Sequence, residues 1–140
     1  MAIDTAKKVK KITVDGAEME LAGGNGTSKL PQIIDRSVTE ITANDLVGIT
    51  TIRRSCFAYC VKLLKAEIPS TVTYIYNQAF QQCTSLNQIT LFATTPPTLV
   101  NTNAIPSNVT TIYIPYGTLN AYQSATNWST LSSKFVEMEA

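Results

Sequence analysis

Two stretches of this chain superimpose at a spacing of 23 residues, and that repeat constrains the fold more than any other feature. Ile49 falls on Val72, Ile52 on Ile75, Phe57 on Phe80 and Cys60 on Cys83. Leu63 falls on Leu86, Ala66 on Ile89 and Ile68 on Leu91. Every matched position is apolar, and most residues between them are polar. A period of 20–29 residues is what a stacked-coil solenoid produces. Each coil lays its apolar side chains over their counterparts in the next coil, so equivalent positions must match. Cys60 and Cys83 then become neighbours in a buried ladder, close enough to bridge although matching alone accounts for them. Cys56 meets Ala79 in a small-residue slot.

The segment Val38-Thr39-Glu40-Ile41 has the same apolar spacing as Ile49 to Ile52 and Val72 to Ile75. Lying 11 residues ahead of the former, it reads as a truncated N-terminal coil, with Ser37, Thr42 and Asn44 as local caps. After Leu91 the repeat is expected to stop, and Thr94-Thr95-Pro96-Pro97-Thr98 reads as an extended breaker. Val109 to Pro115 reads as a strand continuing the ladder in a last, divergent coil. Thr118 is placed to N-cap a short helix whose Leu119, Tyr122 and Ala125 share a face, with Trp128 nearby. That apolar stripe reads as core. Phe135 to Met138 reads as a final strand, and the unit as a whole as the cap that hides a solenoid's open end.

Ahead of the repeats, apolar residues alternate on both sides of Asp15-Gly16. That dipeptide suits a two-residue turn with positive φ at both positions, so residues 12–21 read as a β-hairpin. Its apolar residues Ile12, Val14, Met19 and Leu21 are too few to stabilise it alone, which makes it a candidate attachment or assembly arm. The stretch from Ala22 to Lys29 has the composition of a flexible linker. The expected layout is an arm over 1–21, a linker over 22–29, repeats over 30–92, and a divergent coil with its cap over 93–140. The fold class is mainly β with short helices.

Composition narrows the chemistry. The chain has 140 residues, 44% hydrophobic and only 15% charged, against a usual charged fraction of about 25%. The net charge of +1 gives no general reason to seek nucleic acid or a membrane surface. No run of 18 apolar residues is present, so no membrane span is expected. The basic N-terminus, Lys7-Lys8-Val9-Lys10-Lys11, is followed by no apolar core of a secretory signal, so synthesis and retention in a host cytoplasm is the expectation. Three cysteines, an odd number, argue against a closed disulfide framework. Histidine, the commonest general base and metal ligand, is absent. Cys56 and Cys60 have only Cys83 as a further thiol, which makes a poor metal set. Gly23-Gly24-Asn25-Gly26 leads into no helix and no phosphate-binding lysine. Neither an enzyme nor a cofactor or metal site is expected. Asn25, Asn108 and Asn127 fall in glycosylation sequons that chance explains.

Residues between ladder positions point outward. Tyr74 and Tyr76 flank Ile75, Arg53 holds the place of Tyr76 one coil earlier, and Tyr113 lies between Ile112 and Ile114. Exposed Tyr and Arg are typical interface residues. Arg53, Tyr74, Tyr76 and Tyr113 are therefore the candidate partner-binding face, with solvated strand decoration as the plainer alternative.

The repeat resembles the BspA-like (Treponema-type) leucine-rich repeat family. The resemblance rests on Val72, Ile75, Ala79, Phe80, Cys83, Leu86, Ile89 and Leu91, and on Ile49, Ile52, Phe57, Cys60, Leu63, Ile68 and Pro69. It departs from the family pattern at Arg53 and Tyr76, where glycine is usual, and at Phe92, where proline is usual. The stretch from Ala93 through Tyr113-Ile114-Pro115 to Asn127-Trp128 is similar to terminal units of such proteins in gut bacteria and their phages. The N-terminal segment from Lys8 to Gly24 is similar to leaders of tailed-phage structural proteins. These resemblances imply a phage virion protein, as a head fibre, capsid decoration or tail-associated component. Its arm would contact other virion proteins or form a homo-oligomer, with a trimer by analogy, and its repeats would face a host-surface protein or glycan. The alternative they imply is a bacterial surface adhesin or protein-binding repeat module.

Overall fold

The computed structural model describes residues 12–14, 17–19 and 38–139. Strands β1 (Ile12–Val14) and β2 (Ala17–Met19) pair antiparallel, with Ile12 opposite Met19 and Val14 opposite Ala17. Two residues, Asp15 and Gly16, separate the innermost pair, as a two-residue hairpin requires. Leu21 and the glycine-rich stretch lie outside the described residues.

The body is a stack of coils that deliver strands alternately to two parallel sheets. β3 (Glu40–Ile41), β5 (Lys65–Ile68), β7 (Gln88–Leu91), β9 (Thr111–Ile114) and β10 (Phe135–Glu137) form a five-stranded sheet in that spatial order. β4 (Thr51–Ile52), β6 (Tyr74–Ile75) and β8 (Thr98–Leu99) form a three-stranded sheet. Lys65 pairs with Gln88 and Gln88 with Thr111, each 23 residues on, and Thr51 pairs with Tyr74 at the same interval. The spacing read from the sequence is thus the length of one coil. All seven apolar pairs of the repeat are buried, with Phe57 and Phe80 stacked at 5.2 Å between ring centroids. Cys56, Cys60 and Cys83 are buried, and Cys83 Sγ donates to the Phe57 carbonyl at 3.1 Å.

The loops between the sheets repeat as closely as the strands. Phe57 N donates to Ala79 O at 2.8 Å, and Phe80 N to Ala104 O at 3.1 Å. Ser55 and Gln78, 23 apart, both take left-handed backbone with φ of 58° and 62°. Tyr59 and Gln82 do the same at 65° and 61°. Non-glycine residues enter this region at a steric cost, so both coils make the same sharp turns at the same expense.

Two expectations are corrected. Val38 to Ile41 is not an early copy of Ile49 to Ile52. Ile41 pairs with Ala66, so the segment is equivalent to Leu63–Ala66 and belongs to the other sheet. Each coil carries two apolar pairs three residues apart, one per sheet, and spacing alone cannot say which one a lone copy represents. Nor does the repeat stop at Leu91. Thr98 pairs with Tyr74 and Leu99 with Ile75, so the stretch read as a breaker ends in the third strand of the smaller sheet. Its offset of 24 residues, one more than the period, hides it from a fixed-spacing comparison.

The C-terminal unit packs as core, as its apolar stripe implies. Helix α1 (Leu119–Ser124) buries Tyr122, which meets Trp128 edge-on at 5.7 Å. Tyr122 and Trp128 also donate to the Ala93 and Pro97 carbonyls, each at 2.7 Å. Asn127 Nδ2 donates to the Leu99 and Val100 carbonyls at 2.7 and 3.2 Å. Side chains therefore satisfy acceptors along β8 that have no further strand to pair with. Thr118 precedes α1 but makes no side-chain cap; its hydroxyl donates to Pro115 O, and Glu137 Oε2 accepts from Leu119 N instead. Thr42 does cap, in a reciprocal pair with Asp45 at the start of the 3-10 turn Ala43–Leu46.

Candidate binding face

The small sheet carries the aromatic cluster. Its register places Thr51, Tyr74 and Thr98 in one row across the strands. One step further along lie Arg53, Tyr76 and Val100, tied by Tyr76 N donating to Ile52 O at 2.8 Å and Val100 N to Ile75 O at 3.0 Å. Ile52, Ile75 and Leu99, between the two rows, are buried. Alternation along each strand then turns both rows outward.

The Tyr74 and Tyr76 rings stack with centroids 5.9 Å apart and planes inclined at 23°. Arg53 Cζ lies over the Tyr76 ring at 5.8 Å from its centroid, within cation–π range. Tyr74 and Val100 remain 43% and 40% exposed, so the cluster is open to a partner. Arg53 is half-buried, and its Nε is sealed from solvent with no hydrogen-bond acceptor. A groove of 400 Å³ runs beside Tyr74, bounded by Thr73, Thr94, Thr95, Pro96 and Thr98.

Of the four residues expected on one face, the structure brings together Arg53, Tyr74 and Tyr76. Tyr113 is elsewhere. It stands on β9 in the five-stranded sheet, half-buried, in register between Thr90 and Val136. The sequence shows that all four flank ladder residues but does not show which sheet each ladder residue serves. Val100 is the member that sequence reasoning missed, because the offset of β8 conceals the third coil. The arm residues Ile12, Val14 and Met19 lie in β1 and β2, and their side chains are outside the described set.

A second groove, of 560 Å³, opens between the loops and the C-terminal unit, lined by amides and hydroxyls such as Gln81, Asn103, Asn108 and Thr130. Among the described residues no group of three or more His, Cys, Asp or Glu side chains could hold a metal ion. With no histidine in the chain, neither groove holds a nucleophile with an imidazole base beside it. No helix among the described residues is long and apolar enough to cross a membrane.

The coil length, the two parallel sheets and the loop ladder are what a leucine-rich repeat requires. The profile of the BspA type leucine-rich repeat region (6 copies) matches residues 35–130. The chain belongs to this BspA-type family. The match runs past Leu91 and covers β8, β9 and α1, in keeping with the coils the structure adds there. No curated protein matches the chain. In this BspA-type protein the positions of Arg53 and Tyr76 acquire particular interest. The family resemblance leads one to expect glycine at both, and here they carry the cation and the ring that meet on the sheet.

Proposed function

We propose that this chain is a non-catalytic binding module of the bacterial surface-adhesin type, which docks a protein partner on the three-stranded sheet. One observation carries the reading: Arg53, Tyr76 and Tyr74 form a contiguous cation–aromatic cluster on the outside of a rigid repeat scaffold. Tyr and Arg dominate binding hot spots because they bring large area and directional contacts at small entropic cost. Repeat scaffolds suit the role, since stacked coils extend one surface across several strands. The test is retention of labelled chain on arrayed host-surface proteins. Tyr74→Ser with Tyr76→Ser should keep the wild-type melting temperature and lose retention. Unchanged retention sinks the reading.

The virion reading keeps one observation in its favour. β1 and β2 form a two-stranded sheet distinct from the two sheets of the body, as an attachment arm would. On that reading the arm over residues 1–21 joins the protein to other capsid or tail proteins, or to copies of itself, and the module faces outward from a particle. Removing residues 1–29 should then abolish incorporation into purified particles while leaving the repeats folded. Normal incorporation of the shortened chain excludes this use of the arm.

A further inference from the structure

Arg53 raises a question that the fold does not answer. Its Nε is buried without an acceptor. Buried donors are nearly always paired, because an unpaired one loses its bond to water and gains nothing. No acidic residue occurs in residues 50–55, 73–78 or 97–101, the strands of this sheet and their flanks. Arg54, next in the chain, is exposed and adds a second positive charge. The small sheet is therefore cationic at one edge with no internal counter-charge.

The surroundings of the guanidinium say what it can take. It rests on the Tyr76 ring, which in turn stacks on Tyr74. Guanidinium N–H bonds lie in the plane of the group, so a ring against one face leaves the donating edge for an acceptor. That planar fork matches a carboxylate, which accepts two parallel hydrogen bonds. Across the sheet the row runs Arg53, Tyr76, Val100, from cation through aromatic to exposed apolar. In an extended peptide, side chains two residues apart point the same way. An acid followed two positions later by an apolar residue would lay its carboxylate on Arg53 and its apolar group toward Tyr76 and Val100.

We infer that Arg53, seated on Tyr76, anchors a carboxylate of an acidic, extended segment of a partner protein laid across β4, β6 and β8. The inference rests on the reading of this sheet as the docking surface and adds the chemistry of what docks there. The orphaned Nε gains its acceptor from the partner, and the two tyrosines supply the apolar contact that excludes water from the ion pair. The charge sets the preferred partner, and the rings hold it.

The probe is a blocked peptide, acetyl-Gly-Asp-Gly-Leu-Gly-amide, compared with its Asn counterpart and with inorganic phosphate. Each is titrated into the ¹⁵N-labelled full chain while the Arg53 Nε–Hε and the Tyr74 and Tyr76 ring signals are followed by NMR. The Asp peptide is expected to move all three saturably and to bind about tenfold more tightly than the Asn peptide, as a charge-assisted hydrogen bond exceeds a neutral one. Arg53→Lys, which keeps the charge but loses Nε and the planar fork, should reduce the Asp peptide to the Asn level. If that variant unfolds, the Asp-to-Asn ratio on the native chain decides the matter. Equal affinity for the two peptides overturns the inference and leaves an uncharged docking face standing. Phosphate binding as tight as the Asp peptide overturns it in favour of a simple anion site. If neither peptide moves the signals but Tyr74→Ser with Tyr76→Ser still abolishes surface retention, the acidic segment is wrong and the face is right. If retention also survives, both readings fall.

Discussion

Replacing Tyr122 with Phe removes one oxygen atom and tests the C-terminal cap at two pH values. Tyr122 is fully buried and its hydroxyl donates to the Ala93 carbonyl at 2.7 Å, while its ring packs against Trp128 and Phe135. Phenylalanine keeps the ring contacts and leaves the Ala93 carbonyl without this donor. A buried group deprived of its partner costs about 1–3 kcal/mol, and that loss is expected below pH 9. Burial also pushes the Tyr122 phenol well above its ordinary value. In the unfolded chain the phenol ionises near pH 10, as a free tyrosine does (about 10). Tyr122 therefore leaves stability unchanged below about pH 10. Above it, the unfolded state releases a proton that the folded state retains, and stability falls by about 1.4 kcal/mol per pH unit. Tyr122→Phe lacks this loss. The gap between the two proteins should shrink by about 2 kcal/mol between pH 8 and pH 11.5. Urea unfolding followed by circular dichroism at several pH values reads both effects. A gap that stays constant into the alkaline range would refute the burial argument. No gap at pH 8 would refute the hydrogen bond.

Phe80→Ala should cost about 3–5 kcal/mol, because the ring is buried and stacked on Phe57 in the middle of the ladder; a urea midpoint within error of the native value would contradict the stacked-coil core. Cys60→Ser should cost about 1–3 kcal/mol by placing a hydroxyl among apolar side chains. Cys83→Ser should cost less, since a serine hydroxyl can keep the hydrogen bond that Cys83 gives the Phe57 carbonyl. Thermal melts of both variants would rank them, and the reverse order would show that the Phe57 bond does not matter. At Gln82, where φ is 61°, valine should cost about 1–2 kcal/mol and glycine should be tolerated, as calorimetry can show.

The sequence discloses most of the core and little of its distribution between faces. Pairs such as Phe57 and Phe80, or Leu63 and Leu86, are legible because stacking forces equal side chains onto equal positions. The assignment of Val38 and Ile41 to a sheet is not legible. Both sheets demand an apolar residue every third position at this point of the coil, and only hydrogen bonding to β5 distinguishes them. The added residue between β6 and β8 likewise hides a strand that side chains alone would have marked. The left-handed turns at Ser55, Tyr59, Gln78 and Gln82 carry no glycine or asparagine to announce them. At the binding face, outward orientation follows from alternation and could be read. The meeting of Arg53 with Tyr76 depends on parallel pairing one coil apart, and the separation of Tyr113 depends on β9 joining the larger sheet.

That separation provides the most direct test. Tyr76→Ala and Tyr113→Ala alter the same residue type on two different sheets, each beside a buried ladder position. Retention of the two purified variants on the same array of host-surface proteins, with matched melting temperatures, compares the faces within one protein. Loss with Tyr76→Ala and native retention with Tyr113→Ala is the result expected of a docking surface on the three-stranded sheet. Native retention with Tyr76→Ala and loss with Tyr113→Ala would place the partner on the five-stranded sheet and contradict the account.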